Sequence, residues 1–236
     1  VALGVAAAAN AQDSDPPLQR ALRAAELGPF ARRVPPGPGL SQYLRLYGLP
    51  FVEAQHAAGT LVSSGLSIAV YSYTPPESRG VVVLAHGYYD HAGSLHHLIR
   101  RLVAEGYTVV AYDQPGHGLS EGEAGSIDSF ATYAAVLSDV IELARREFGG
   151  PCHFVGFSLG AAAGIELLTQ GDAPEVCGAV LLAPLLRSSF WNASRLWYHC
   201  SGRGEVLVRR VFARNSSDPE YLRFVRRDPL QLTHVS

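Results

Sequence analysis

The run "CHFVGFSLGAAAG" (152–164) places Ser158 between Gly156 and Gly160, after an apolar stretch and before small residues. A serine hydroxyl becomes a useful nucleophile only where its oxygen is held clear of the fold and a base can take its proton. Gly-x-Ser-x-Gly is weak evidence alone, but here a buried-type strand precedes it and an Ala/Gly-rich helix follows. In so sharp a strand-to-helix turn, a side chain at 156 or 160 would strike neighbouring backbone. The turn would lift the Ser158 hydroxyl above the sheet edge and aim a helix N-terminus at the reacting atoms. A simple N-cap serine is the competing explanation, and the flanks disfavour it.

Acyl transfer needs two donors for the developing oxyanion, and such an elbow supplies one, the backbone N–H of Leu159. The stretch "LAHGYYDHAG" (84–93) follows an earlier buried-type strand at the same sheet edge. Gly87 would let that loop bend tightly and present the Tyr88 N–H as the second donor. His86 reads as structural support, hydrogen-bonded within the turn. A third loop, "YDQPGHGLSEG" (112–122), carries Asp113 and His117. These two could suggest a triad, but a Gly- and Pro-shaped loop whose polar side chains tie down turns is the stronger reading.

The elements that must position these groups alternate. "GTLVSSGLSIAVYSYTPP" reads as two strands joined at Ser-Ser-Gly, and "RGVVVLAHG" (79–87) as a strand buried on both faces. Leu95, Leu98, Ile99 and Leu102 recur at helical spacing and Gly106 stops that helix; "YTVVAYD" (107–113) is the next strand. Phe130, Tyr133, Leu137, Ile141, Ala144 and Phe148 mark a helix over about 127–148, ended by Gly149-Gly150-Pro151. A strand at 152–157, a helix at 159–171 and a strand at 178–184 complete an α/β pattern, a parallel sheet with helices on both faces. Residues 1–58, broken by "RRVPPGPG" (32–39), read as an irregular lead-in, 59–184 as the core, and 185–236 as a further segment.

Composition narrows the functions. The 236 residues are 47% hydrophobic, enough for a substantial core, and the net charge of −2 points away from nucleic acid. Mean hydropathy is +0.09. Cys152, Cys177 and Cys200 fit neither a disulfide framework nor metal-ligand spacing, so no metal or cofactor is expected. All 19 basic residues are arginine and methionine is absent, so the chain, opening on Val1, is expected to be processed or incomplete at its front. "VALGVAAAANA" (1–11) is either the tail of a secretory signal, implying export, or an inconsequential Ala-rich start in a cytoplasmic protein. No apolar run approaches the ~20 residues of a membrane span.

"VVVLAHGYYDHAG", "VVAYDQPGHGLSEG" and "HFVGFSLGAAAG", in this order, resemble the α/β-hydrolase superfamily. The closer likeness is to its monoacylglycerol lipase and lysophospholipase-like branch, also called serine aminopeptidase-like, and it runs from about residue 60 to the end. The resemblance implies an ester hydrolase acting on a small-molecule ester or lipid, with Ser158 as nucleophile and the Tyr88 and Leu159 amides as oxyanion hole. It also implies a helical lid from near Leu185, with "RNSSDPEYLRFVRRDPLQ" (214–231) as its later part. In this fold the acid and the histidine lie on loops after strands beyond the lid, whereas this sequence stops at Ser236. His199 and His234 follow Ser158 but end no apolar strand, so the catalytic acid and base are assigned to no residue of this chain. Alone, the chain is therefore expected to be inactive and aggregation-prone, with 178–184 an apolar edge.

Residues 185–236 contain nine arginines and four acids, with Phe190, Trp191, Trp197 and Tyr198. Leu207, Val208, Val211 and Phe212 of "EVLVRRVFAR" (205–214) would share one helical face. An apolar face ringed by arginine suits peripheral contact with an anionic membrane; a lid helix packed on the core with solvated arginines is the alternative. An amidase or proline-type aminopeptidase, and a non-catalytic binding protein of the same fold, are the competing functional readings.

Overall fold

A computed structural model of the protein describes residues 27–31, 38–49, 54–171, 173–187, 208–210 and 216–235. Six strands form one mixed sheet: β1 (Gln55–Ser63), β2 (Leu66–Thr74), β3 (Val81–Ala85), β4 (Thr108–Tyr112), β5 (Cys152–Phe157) and β6 (Gly178–Leu182). The spatial order is β1-β2-β4-β3-β5-β6. β1 and β2 form a hairpin closed by Ser64 and Gly65, both at positive φ (50° and 75°), which matches the twist of the flanking strands. β2 meets β4 antiparallel, and β4, β3, β5 and β6 run parallel.

The alternation of side chains along each strand divides the core in two. On one face Val81, Val83, Val110 and Phe154 pack against α3 (Ala131–Phe148) and α4 (Leu159–Thr169). On the other, Val82, Leu84, Val109 and Ala111 pack against α1 (Pro38–Leu46) and α2 (His96–Ala104), the latter entered through a 3-10 turn at Ala92–Leu95. Helix α3 begins later than its periodicity suggests, leaving Phe130 at its N-cap and 41% exposed.

The stretch read as an irregular lead-in is partly ordered. Residues 28–30 lie along the outer edge of β1, Phe30 N–H donating to the Thr60 carbonyl and Thr60 N–H to that of Gly28, both at 2.9 Å. Helix α1 buries Leu40, Tyr43 and Leu44, and Tyr47 just after it is buried too. Pro-Pro-Gly-Pro-Gly ends where the helix starts, and proline at a first helical position is tolerated because that N–H has no intrahelical partner. The proline cluster thus marks a helix start, not the absence of a helix.

The expected helix over 205–214 is also corrected. Val208–Arg209 is a short strand, β7, paired antiparallel with β8 (His234–Val235). The remaining helix of the described residues is α5 (Pro219–Arg227). Asp218 caps it, its Oδ1 accepting from Glu220 N (2.8 Å) and Tyr221 N (3.3 Å), with Pro219 in the first turn. Val225 is buried while Arg223, Arg226 and Arg227 are exposed, so its apolar side faces inward. His199 and the aromatic residues 190, 191, 197 and 198 lie outside the described residues. Among the described residues no helix is long and apolar enough to cross a membrane. β6 stands at the sheet edge with Val180 52% and Leu182 43% exposed.

Buried polar groups brace the loops at the C-terminal ends of β3 and β4. The fully buried Asp113 carboxylate accepts from the Tyr71 hydroxyl (2.8 Å), Ala92 N (2.7 Å) and Leu119 N (2.8 Å). It therefore joins β2, the loop after β3 and the loop after β4. Removing the acceptor strands three donors away from water. Asp113→Ala should therefore lower unfolding free energy by about 3 kcal/mol or more, read from urea denaturation; a loss below about 1 kcal/mol would contradict this bracing role.

Candidate active site

The adjacent parallel strands β3 and β5 send their following helices to opposite faces, α2 to one and α4 to the other. Their connecting loops diverge there and open a crevice at the C-terminal sheet edge. Both motif stretches leave from this point.

Ser158 joins β5 to α4 with φ 52° and ψ −107°, a conformation that L-residues with a Cβ rarely hold. The turn is enforced by close approach. A Cβ on Gly156 would come within 2.7 Å of Ala161 N and of the Gly160 carbonyl carbon, and one on Gly160 within 2.7 Å of the Ala85 carbonyl carbon. Gly164 faces the Phe154 ring with equally little room. The missing side chains let α4 lie against β5 and β3. Hydrogen bonds then lock the turn: Ser158 N–H donates to Leu182 O (2.9 Å), and Leu185 N–H to Ser158 O (3.1 Å).

The loop after β3 is drawn to the same place. Gly160 N–H donates to the His86 carbonyl (3.1 Å), so residues 87–88 lie beside 158–159. A Cβ on Gly87 would meet the Phe157 ring at 3.1 Å and Asp90 Oδ2 at 3.3 Å. Among the described residues, no acceptor takes the N–H of Tyr88 or of Leu159. The Tyr88 carbonyl, by contrast, is held by His117 Nε2 (2.5 Å) and its hydroxyl bonds the Gly125 carbonyl.

His86 is wholly buried. Its Nε2 accepts from Gln114 N (2.9 Å), which puts the ring proton on Nδ1, donated to Gly87 O (2.7 Å). Gln114 Nε2 returns a bond to His86 O (2.6 Å). Burial, reinforced by His117 nearby, pushes the His86 pKa well below its ordinary value, so the ring stays neutral. His117 is also buried, its Nδ1 facing Pro115 O (2.8 Å), and burial lowers its pKa too. Both rings are engaged with loop backbone, not with Ser158. His234 is exposed and bonds the Thr233 hydroxyl (3.0 Å). Among the described residues no side chain hydrogen-bonds to the Ser158 hydroxyl.

Ser158 opens into a pocket of about 800 Å³. It is lined by Gly87, Tyr88, Phe157 and Ser158 from the two motif loops, by Asp90, His96 and His97, and by Arg210 with Asp218, Glu220, Tyr221 and Phe224. His96 and His97, in an unremarkable helical stretch, are not singled out in the sequence, whereas α5, some sixty residues from the elbow, falls in the 214–231 stretch that resembles a lid. The His96 ring meets Phe224 edge-on, centroids 5.5 Å apart, which ties α2 to α5 across the pocket. Cys152 (buried) and Cys177 (exposed) are free thiols away from this pocket; Cys200 lies outside the described residues.

A mixed sheet covered on both faces by helices, with a serine on a left-handed strand-to-helix turn, defines an α/β-hydrolase. The chain belongs to the Hydrolase_4 family (serine aminopeptidase, S33), whose family model matches residues 76–236. A monoacylglycerol lipase of Mycolicibacterium smegmatis is 36% identical over 121 residues, 50% of this chain and 42% of that protein. The human monoglyceride lipase is 30% identical over 110 residues, 46% of this chain and 36% of that protein. The chain thus spans well under half the length of these relatives. Among solved structures, the monoacylglycerol lipase of Paleococcus ferrophilus superposes with a TM-score of 0.55 at 29% identity, covering 72% of this chain and 65% of that one. A soluble variant of the Saccharomyces cerevisiae monoglyceride lipase shares the fold, with a TM-score of 0.64 at 21% identity over 79% and 66% of the two chains.

A non-glycine residue held at this φ and ψ costs of order 1–3 kcal/mol. Ser158→Gly should therefore raise the melting temperature while Ser158→Ala leaves it near that of the parent; equal melting of all three proteins would remove the strain argument.

Proposed function

We propose that the protein is a serine hydrolase of carboxylic esters, with monoacylglycerols, lysophospholipids or similar single-chain lipids as substrates. The observation that carries this reading is the left-handed Ser158 at the head of α4, beside two amides that take no acceptor among the described residues. The Ser158 oxygen attacks the ester carbonyl carbon, its proton passing to a base. The carbonyl π-electrons move to oxygen, which the Tyr88 and Leu159 N–H groups stabilise. Collapse breaks the bond to the alcohol, which leaves with a proton, and water then releases the carboxylic acid from the acyl-enzyme. Similarity to monoglyceride lipases supports the substrate class, as does a pocket that sets the Phe157 and Phe224 rings among polar side chains.

In the full-length protein, Ser158→Ala should abolish both fluorophosphonate labelling and hydrolysis of p-nitrophenyl and monoacylglycerol esters. Labelling that persists in Ser158→Ala would move the nucleophile elsewhere, and an unlabelled parent would favour a non-catalytic binding protein.

The carboxylates of Asp90, Asp218 and Glu220 along the pocket favour a second reading, an amidase or aminopeptidase whose substrate amino group meets an acidic wall. Competing assays on monoacylglycerol and aminoacyl substrates separate the two. The ester reading expects the higher kcat/KM on monoacylglycerol, and the reverse order would overturn it.

A further inference from the structure

The loop that carries Tyr88 is held from its outer side as well as from within. Residues 89–91 are met one by one by the chain leaving α5. Leu232 N–H donates to Tyr89 O (3.4 Å), Gln231 Nε2 donates to Asp90 Oδ1 (3.1 Å), and Asp228 Oδ2 lies 2.8 Å from His91 Nε2. Both side chains of that last pair are 0% exposed. The other Asp228 oxygen accepts from the Tyr47 hydroxyl (2.7 Å) and Leu230 N (3.0 Å). Burial alone would raise the Asp228 pKa, but the His91 ring and these donors hold it below the usual carboxylate value. Gly93 N–H donates to His91 Nδ1 (3.1 Å), which leaves Nε2 as the donor to Asp228 and pins the ring at both ends. Arg210 closes the arrangement, 4.1 Å over the Tyr89 ring and donating to Gln231 Oε1 (2.6 Å).

We propose that Asp228 and Gln231 are positioning residues for the reaction: by clamping residues 89–91 they hold the Tyr88 N–H where the oxyanion forms. This rests on the role given to Tyr88 above. The inner anchors hold residues 86–88 by their carbonyls, the His86 ring and the Tyr88 hydroxyl. Within the loop, Asp90 N–H donates to Gly87 O and Ser94 N–H to His91 O, both at 3.0 Å, and Asp113 holds Ala92 N, but the Tyr89 carbonyl and the Asp90 and His91 side chains are met from the α5 segment. An oxyanion donor is effective only at hydrogen-bond distance from the charge as it develops. A clamp on the neighbouring residues therefore acts on the chemical step and not on ground-state binding. The segment after α5 is in this sense part of the catalytic floor, not merely a cover.

The test uses the full-length protein and the variants His91→Ala, His91→Gln and Gln231→Ala. It reads kcat and KM on a soluble p-nitrophenyl ester, per active site titrated with a fluorophosphonate, together with amide hydrogen exchange over 86–91. His91→Ala and Gln231→Ala should lower kcat per titrated site by ~10–100-fold with KM within about twofold, and speed exchange in the loop. His91→Gln, which keeps a donor toward Asp228, should recover most of the loss. A lower melting temperature with kcat per titrated site unchanged would overturn the proposal, reducing the clamp to a stabilising contact. Unchanged exchange over 86–91 in both alanine variants would overturn it whatever the kinetics. A parent unlabelled at Ser158 would instead overturn the nucleophile assignment, a separate result.

Discussion

The site depends on how closely α4 approaches the sheet. Gly156 and Gly160 bring helix backbone to within the space a methyl group would need, and Gly160 N–H then reaches the His86 carbonyl on the next strand's loop. That bond sets the elbow and the loop after β3 side by side. With the helix any farther out, Ser158 could relax from its left-handed conformation and the amides of Tyr88 and Leu159 would separate. Local backbone strain is thus maintained by packing on three sides, as strain at functional sites must be.

Around this contact lies a set of buried polar groups that bond backbone rather than one another's charge. The neutral His86, Gln114, His117 and the Asp113 carboxylate between them meet main-chain atoms of the loops after β3 and β4. Unsatisfied buried donors are costly, so each loop has one arrangement that meets its partners. A second tier, His91 with Asp228 and Tyr47, bonds side chain to side chain and ties the same loop to the residues that follow α1 and α5.

Much of this was legible in the sequence because it is encoded locally. The continuous apolar runs of β3, β4 and β5, the helical period of α3 and the glycine spacing of the elbow each declare their conformation within a few residues. His86 and His117 read as loop supports for the same reason, since a histidine between glycines and prolines has backbone close at hand. Two misreadings share a cause. "RRVPPGPG" reads as a breaker, yet α1 begins at its last proline, Pro38, because Leu40, Tyr43 and Leu44 find a buried place on the second face. "EVLVRRVFAR" had a helical apolar face, yet Val208 and Arg209 found a strand partner at His234 and Val235. In each, a distant partner outweighed local preference.

The sequence by itself determined the α/β order of elements and a serine that could stand on a tight turn, because periodicity and glycine placement act over a few residues. The tertiary structure alone decided which side chains share a pocket with that serine: His96 and His97 from α2, Arg210, and Asp218, Glu220, Tyr221 and Phe224 at α5. It also decided that Asp228, more than a hundred residues away in sequence, holds His91. A hydrophobic pattern states which face of an element must be covered, but not by what. That choice is made by shape and hydrogen-bond complementarity once the elements pack.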